Sequence, residues 1–236
     1  MKKEKAIAAI RRELGAVTAE RRAAQNDPAA LASRIALRSF QSQRMARTHA
    51  DLLNSHESRK AAEFFLNDLY GTEDLTQRDA DLVRVVPAME RMLPATALKT
   101  IAEAIALDAL SEKLDAAMAQ HLGQCFSEED YIVAYRKMAA RADRERQIAH
   151  VESLGNALCE LVRIPMIGST LAMMRGPAKL AGLAELQSFL ERGFKAFKVM
   201  KNPHLFVSAI VQRERTIMDR LYAGAADPFM VDVAGN

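Results

Sequence analysis

Apolar residues recur along this chain at steps of three and four and seldom in strict alternation, so the pattern predicts helices rather than strands. Ile7, Ile10, Leu14 and Val17 make the first stripe and predict a helix over residues 3 to about 24. Its remaining faces are charged, which marks residues 1–26 as a peripheral N-terminal helix. Asp27-Pro28 starts the second helix, a capping carboxylate followed by proline at the first helical position. That helix is expected to run to about residue 54. Its packing face is read as Ala32, Ala36, Phe40, Gln43, Ala46, Ala50 and Leu53, with Arg34, Arg38, Arg44 and Arg47 turned elsewhere.

The stretch that organises the rest covers residues 61–93. Aromatic residues are 6% of the chain and Trp is absent, so the run Phe64, Phe65, Leu69, Tyr70 holds much of the available bulk and is assigned to the core. Gly71 is placed as the left-handed stop of that helix, and Thr76 with Asp79 as the cap of the next. Pro87 lies inside the new helix and is expected to kink or end it.

Leu98, Ile101, Ile105, Ala109, Leu114 and Met118 predict a helix over residues 95–122, closed by Gly123. Ser127 and Asp130 form a capping pair for one very long helix over residues 127 to about 162. Residues 164–182, with three Gly, two Pro and several Met, read as the least regular part. Helical spacing resumes at Leu183, and Asn202-Pro203 opens a last helix. Residues 225–236 read as a flexible tail with Phe229 tucked back. The expected architecture is all-α, a single compact bundle of roughly eight or nine helices, with residues 27–224 as the helical-bundle domain.

Half of the 236 residues are hydrophobic and only 10 are Gly and 7 Pro, which favours a packed globule over disorder. Net charge is +3, yet residues 2–60 hold thirteen basic and six acidic residues, a local +7. Such a bias can steer a polyanion, but its helical spacing also describes a solvated face, so nucleic acid ranks as an unlikely partner. Two cysteines without framework spacing, and no secretory leader, give the expectation of a cytoplasmic protein. No apolar run approaches the roughly 20 residues that a membrane span needs.

Catalytic signatures are missing. The residues three before the five His are Ala46, Leu53, Met118, Gln147 and Lys201, so the Glu-x-x-His pattern of di-iron bundles is absent, as are HExxH, GxSxG and a P-loop. Asp68, Asp74, Asp79 and Asp81 alternate with Arg78 and Arg84, which reads as caps and ion pairs rather than a cation site. His49 and His56 share a helix face. The apolar, Met-rich segment holding Met166, Leu171, Met173 and Met174 is a candidate adaptable interaction surface, because thioethers repack easily.

FFLNDLYG at 64–71, QRDADL at 77–82, MRGPAKLAGLAELQSFLERGF at 174–194, and QRE with DRLYAG between 212 and 224 resemble an uncharacterised family of bacterial all-α proteins. That resemblance carries no catalytic residues. ARTHADLL around His49 and MIGSTLAMM around Gly168 bear a fainter likeness to the haem-oxygenase-like fold. The likeness implies His49 as an iron ligand and Gly168 on the helix covering the haem. The leading expectation is therefore a non-enzymatic interaction or regulatory protein, self-associating or bound to a protein partner, without cofactor. A haem-binding helical protein is the alternative and a weak nucleic-acid binder the third.

Overall fold

Two long helices hold the molecule together, each buried at both ends and ionic in the middle. The computed structural model describes residues 3–69, 76–92, 95–138 and 140–230, and among these every regular element is helical. The elements are α1 (Lys3–Gln25), α2 (Pro28–Thr48), α3 (Ala50–Asn54), α4 (Arg59–Phe64) with a π-turn at Phe65–Leu69, and α5 (Thr76–Met92). After these come α6 (Ala95–Leu122), α7 (Glu128–Lys137), α8 (Arg141–Leu161), α9 (Ile167–Leu180), α10 (Ala184–Lys198) and α11 (Pro203–Ala223).

Three apolar clusters lie along these two helices. In the first, Phe206, Val207, Ile210 and Val211 of α11 meet Ala61 and Phe64 of α4, Cys159 of α8, and Ala196 and Phe197 of α10. In the second, Ile217, Met218 and Leu221 of α11 meet Leu37 of α2, Met118 and Ala119 of α6, and Tyr131, Ala134 and Tyr135 of α7. In the third, Leu98, Ala102 and Ile105 of α6 meet Val86 of α5 and Ala6, Ile7, Ile10 and Leu14 of α1. The helix α1, read as peripheral, buries Ile7, Ile10 and Leu14 of its apolar stripe against α5 and α6.

The caps form as their chemistry dictates. Asp27 Oδ1 accepts from the Ala29 and Ala30 amides, and Ser127 and Asp130 form a reciprocal capping box. Gly123 and Gly224 take left-handed backbone where helices α6 and α11 stop.

Eleven helices among the described residues exceed the expected eight or nine because two expected helices break and the segment expected to be irregular forms a helix of its own. His49 (φ −112°, ψ 25°) interrupts the second helix so that its ring reaches Glu214 of α11. The long helix expected from residue 127 ends at Lys137 and restarts at Arg141. Tyr135 and Arg144, nine residues apart, would face opposite sides of one continuous helix, given 3.6 residues per turn. The bend brings the Arg144 guanidinium to 4.8 Å from the Tyr135 ring centroid. Conversely, α5 continues through Pro87, whose side chain is exposed, so water can take the carbonyl that proline leaves without a donor. Most of the irregular segment at 164–182 is also helix, again with a proline, Pro177, inside it.

The π-turn changes which aromatic residue anchors the centre. Phe64 is buried, with its ring 5.4 Å from that of Phe189 and seated on Gly193, where a Cβ would stand 2.9 Å from the Phe64 Cζ. Phe65 is only half-buried, whereas Leu66 is buried. Tyr70, Gly71 and the Leu69 side chain lie outside the described residues. Phe64→Ala should therefore lower stability by about 3–5 kcal/mol, and Phe65→Ala by less than half of that. Urea melts of the two variants check this, and the reverse order would make Phe65 the anchor.

Candidate functional site

Two buried ion clusters and one exposed apolar face are the features that fold alone does not explain. The first cluster is centred on Glu112, in the middle of α6, whose side chain is 2% exposed. Arg21 Nε donates to its Oε1 at 2.9 Å, Arg34 Nη1 to its Oε2 at 3.1 Å, and Arg38 Nη2 also to Oε1. Asp108 accepts from Arg21 Nη2 at 2.8 Å, and Glu20 from Arg34 Nη2 at 3.0 Å. Burial pushes the Glu112 carboxyl up, but the Arg38 and Arg21 guanidiniums outweigh it and hold the group below the usual carboxylate range. Asp115, one turn on, has burial as its dominant influence and is pushed up despite Arg38 at 3.7 Å.

Arg44 and His49 build the second cluster on Glu214 of α11. Arg44 Nη1 donates to Glu214 Oε1 at 2.5 Å, and His49 Nε2 is 3.0 Å from the same oxygen. Beside them Arg213 grips Asp51 with two bonds of 2.7 and 2.8 Å. Burial opposes ionisation of Glu214, yet the charge of Arg44 and the bonds from His49 and Arg44 bring its pKa down to about 2. Phe229, from the segment read as a tail, lies over the Arg44 guanidinium at 6.0 Å and packs near Phe40 and Tyr131.

These clusters correct the sequence-based face of α2. Its buried side is Ser33, Arg34, Leu37, Arg44, Met45 and Thr48, whereas Gln43 and Ala50 are exposed. Four of the thirteen N-terminal cations, Arg21, Arg34, Arg38 and Arg44, are thus turned inward and paired with acids from α6 and α11, while Lys5, Arg11, Arg12, Arg22, Arg47, Arg59 and Lys60 stay exposed. What the sequence held was Arg34 and Arg38 four apart, a spacing that aims both at one partner.

His49 and Gly168 are not brought together. His49 faces Glu214, with the residue 3% exposed and its Nε2 engaged. Gly168 sits on α9 under the Phe194 ring, whose Cε1 would be 3.0 Å from a Cβ there. His49 as placed does not offer a haem ligand, because its Nε2 is held by the ion-paired Glu214 carboxylate and its Nδ1 is buried. Among the described residues no three His, Cys, Asp or Glu side chains converge on a metal position. In the acidic stretch at 68–84, the described part is an ion pair: Arg84 Nη1 lies 3.4 Å from the buried Asp81, and its Nη2 donates to the Ala181 carbonyl at 2.5 Å. Cys125 is exposed and Cys159 buried, both free.

The Met-rich segment is turned outward. Met166 and Met173 are 76% exposed, Leu180 is 92% exposed and Met174 is exposed, while Leu171 is half-buried. Helix α9 rests on α10 through Ala178 and Leu171, held by Gln187 Nε2 donating to the Leu171 carbonyl and by Arg175 bonded twice to Glu191 at 2.6 Å. Met166 begins it with φ 72°, the only left-handed non-glycine among the described residues. Such strain in a Met persists only where the surroundings hold it.

Because Glu214 falls from 4.5 unfolded to about 2 folded, its ionisation stabilises the fold above pH 4.5 and that contribution is lost as pH drops towards 2. Its size is on the order of 3 kcal/mol. Glu214→Gln should lose stability at pH 7 and show a shallower further loss between pH 4.5 and 2 than the parent in denaturant melts. Equal acid slopes would mean that Glu214 is not held ionised by Arg44.

No curated protein and no solved structure matches this chain. A family model described as a domain of unknown function (DUF8198) matches residues 20–228, which takes in α2 to α11, both ion clusters and the exposed α9 face. The chain belongs to that family, a family of unknown function.

Proposed function

We propose that this protein is a non-enzymatic interaction or regulatory protein of the cytoplasm, and that the outward face of α9 is where it meets another chain. The observation that carries the reading is the exposure of Met166, Met173 and Leu180 on one side of a helix otherwise seated on α10. Large apolar side chains gathered on one exposed face mark a surface that is covered in use. The ion clusters support the same reading from the other side. Glu112 is clamped by three arginines, and Glu214, with a pKa of about 2, is far from the neutral range that general acid–base work requires. They hold helices in place instead of moving protons. No described helix is long and apolar enough to cross a membrane.

The test is Met173→Asp. The side chain is exposed, so the melt should stay within about 0.5 kcal/mol of the parent. Native mass, and the proteins retained from a lysate of the source cell, should change: a dimer or a specific partner seen with the parent should be lost. If neither differs, α9 is not an interaction face. Adding haem should give no stoichiometric Soret band, and a one-to-one haem titration abolished by His49→Ala would replace this reading. Nucleic acid should bind weakly and be released near physiological salt, because Arg21, Arg34, Arg38 and Arg44 are already paired.

A further inference from the structure

We infer that the occupant of the α9 face is an acidic amphipathic helix of a partner protein. This deepens the interaction reading and rests on it. Three observations point to that occupant: the spacing of the apolar knobs, the small residues beside them, and the charge of the hairpin that carries them.

Met166, Met173 and Leu180 follow one another at seven-residue steps, the repeat with which one helix meets another along a shared seam. The 14 residues of α9 give a seam of about 21 Å at 1.5 Å per residue. Ser169, Ala172 and Gly176 lie one helical step to the side, and all three are exposed. Nothing stands within 4 Å of where a Gly176 Cβ would be. A ridge of large side chains beside a ridge of small ones is a groove for the knobs of a second helix. Lipid has no use for such relief.

Charge selects which helix. Residues 163–201, spanning α9 and α10, carry seven basic and two acidic residues, a net +5 in a chain whose total is +3. One of the two acids, Glu191, is already bonded to Arg175 and Lys195 and is held ionised at about 2. Helix α9 itself contains Arg175 and Lys179 and no acid. A second copy of this chain would set like charges against each other across the seam. An acidic helix meets complementary charge from Lys179, on the small-residue side of the apolar stripe, and from the net positive charge of the hairpin that carries it.

The test uses the full chain and a fluorescent 21-residue helical peptide with Leu at heptad positions a and d and Glu at most others. Its twin carries Lys in place of Glu. Saturable one-to-one binding of the acidic peptide, at least tenfold tighter than its twin, is expected. Met173→Asp and Lys179→Glu should each weaken it at least fivefold while leaving the melt unchanged. Equal affinity for both peptides would overturn the inference, as would binding only to phosphatidylglycerol vesicles. A dimer abolished by Met173→Asp, without peptide binding, would assign the face to a second copy: the interaction reading would stand and the acidic helix would fall. If Met173→Asp alters none of these readouts, both fall.

Discussion

The carboxylate of Glu112 has to satisfy three guanidiniums at once, and the placement of α1, α2 and α6 depends on it. Arg21 arrives from α1, and Arg34 and Arg38 arrive from adjacent turns of α2. Removing four charged groups from water is expensive, and only mutual pairing makes it tolerable. The arrangement is therefore intolerant of a change in register. Sliding α2 by one turn would leave a buried arginine facing apolar surface and Glu112 underpaired.

The same layering recurs on α11. Reading α6 along its length gives an apolar zone at Leu98–Ile105, the ionic zone at Asp108, Glu112 and Asp115, and a second apolar zone at Met118 and Ala119. On α11 the sequence is Phe206 to Val211, then Arg213 and Glu214, then Ile217 to Leu221. Helix α2 spans both ionic zones, giving Arg34 and Arg38 to one and Arg44 to the other. Apolar zones supply the driving force for burial, and the ionic zones between them set the alignment in which it occurs. On the surface, the α9–α10 hairpin combines apolar exposure with net positive charge.

Much of this architecture was legible in the sequence where a local signal was also the deciding one. The stripe Ile7, Ile10, Leu14, Val17, the Asp27-Pro28 start, the Ser127–Asp130 box and the Gly123 stop all formed as read, because periodicity and caps act within one turn. What escaped was decided across the fold. Arg34 and Arg44 look like solvent residues until acids 78 and 170 positions away are placed beside them. The break at His49 exists for Glu214, and the bend after Lys137 for the contact between Arg144 and Tyr135. Residues 164–182 read as irregular because Gly and Pro outweighed periodicity; packing on α10 made them helix. The Met surface was visible from composition, but its seven-residue seam required that helix to be recognised.

The central claim is that paired internal charge, centred on Glu112, fixes the helices. Double measurements of urea stability test it: Glu112→Ala, which removes the buried acid shared by three arginines, against Glu128→Ala, which removes the partner of the exposed Arg47. The account predicts a loss of about 3–5 kcal/mol for Glu112→Ala, and for Glu128→Ala one under about 1 kcal/mol. A loss under about 1 kcal/mol for both would show that the buried cluster is dispensable, and would contradict it.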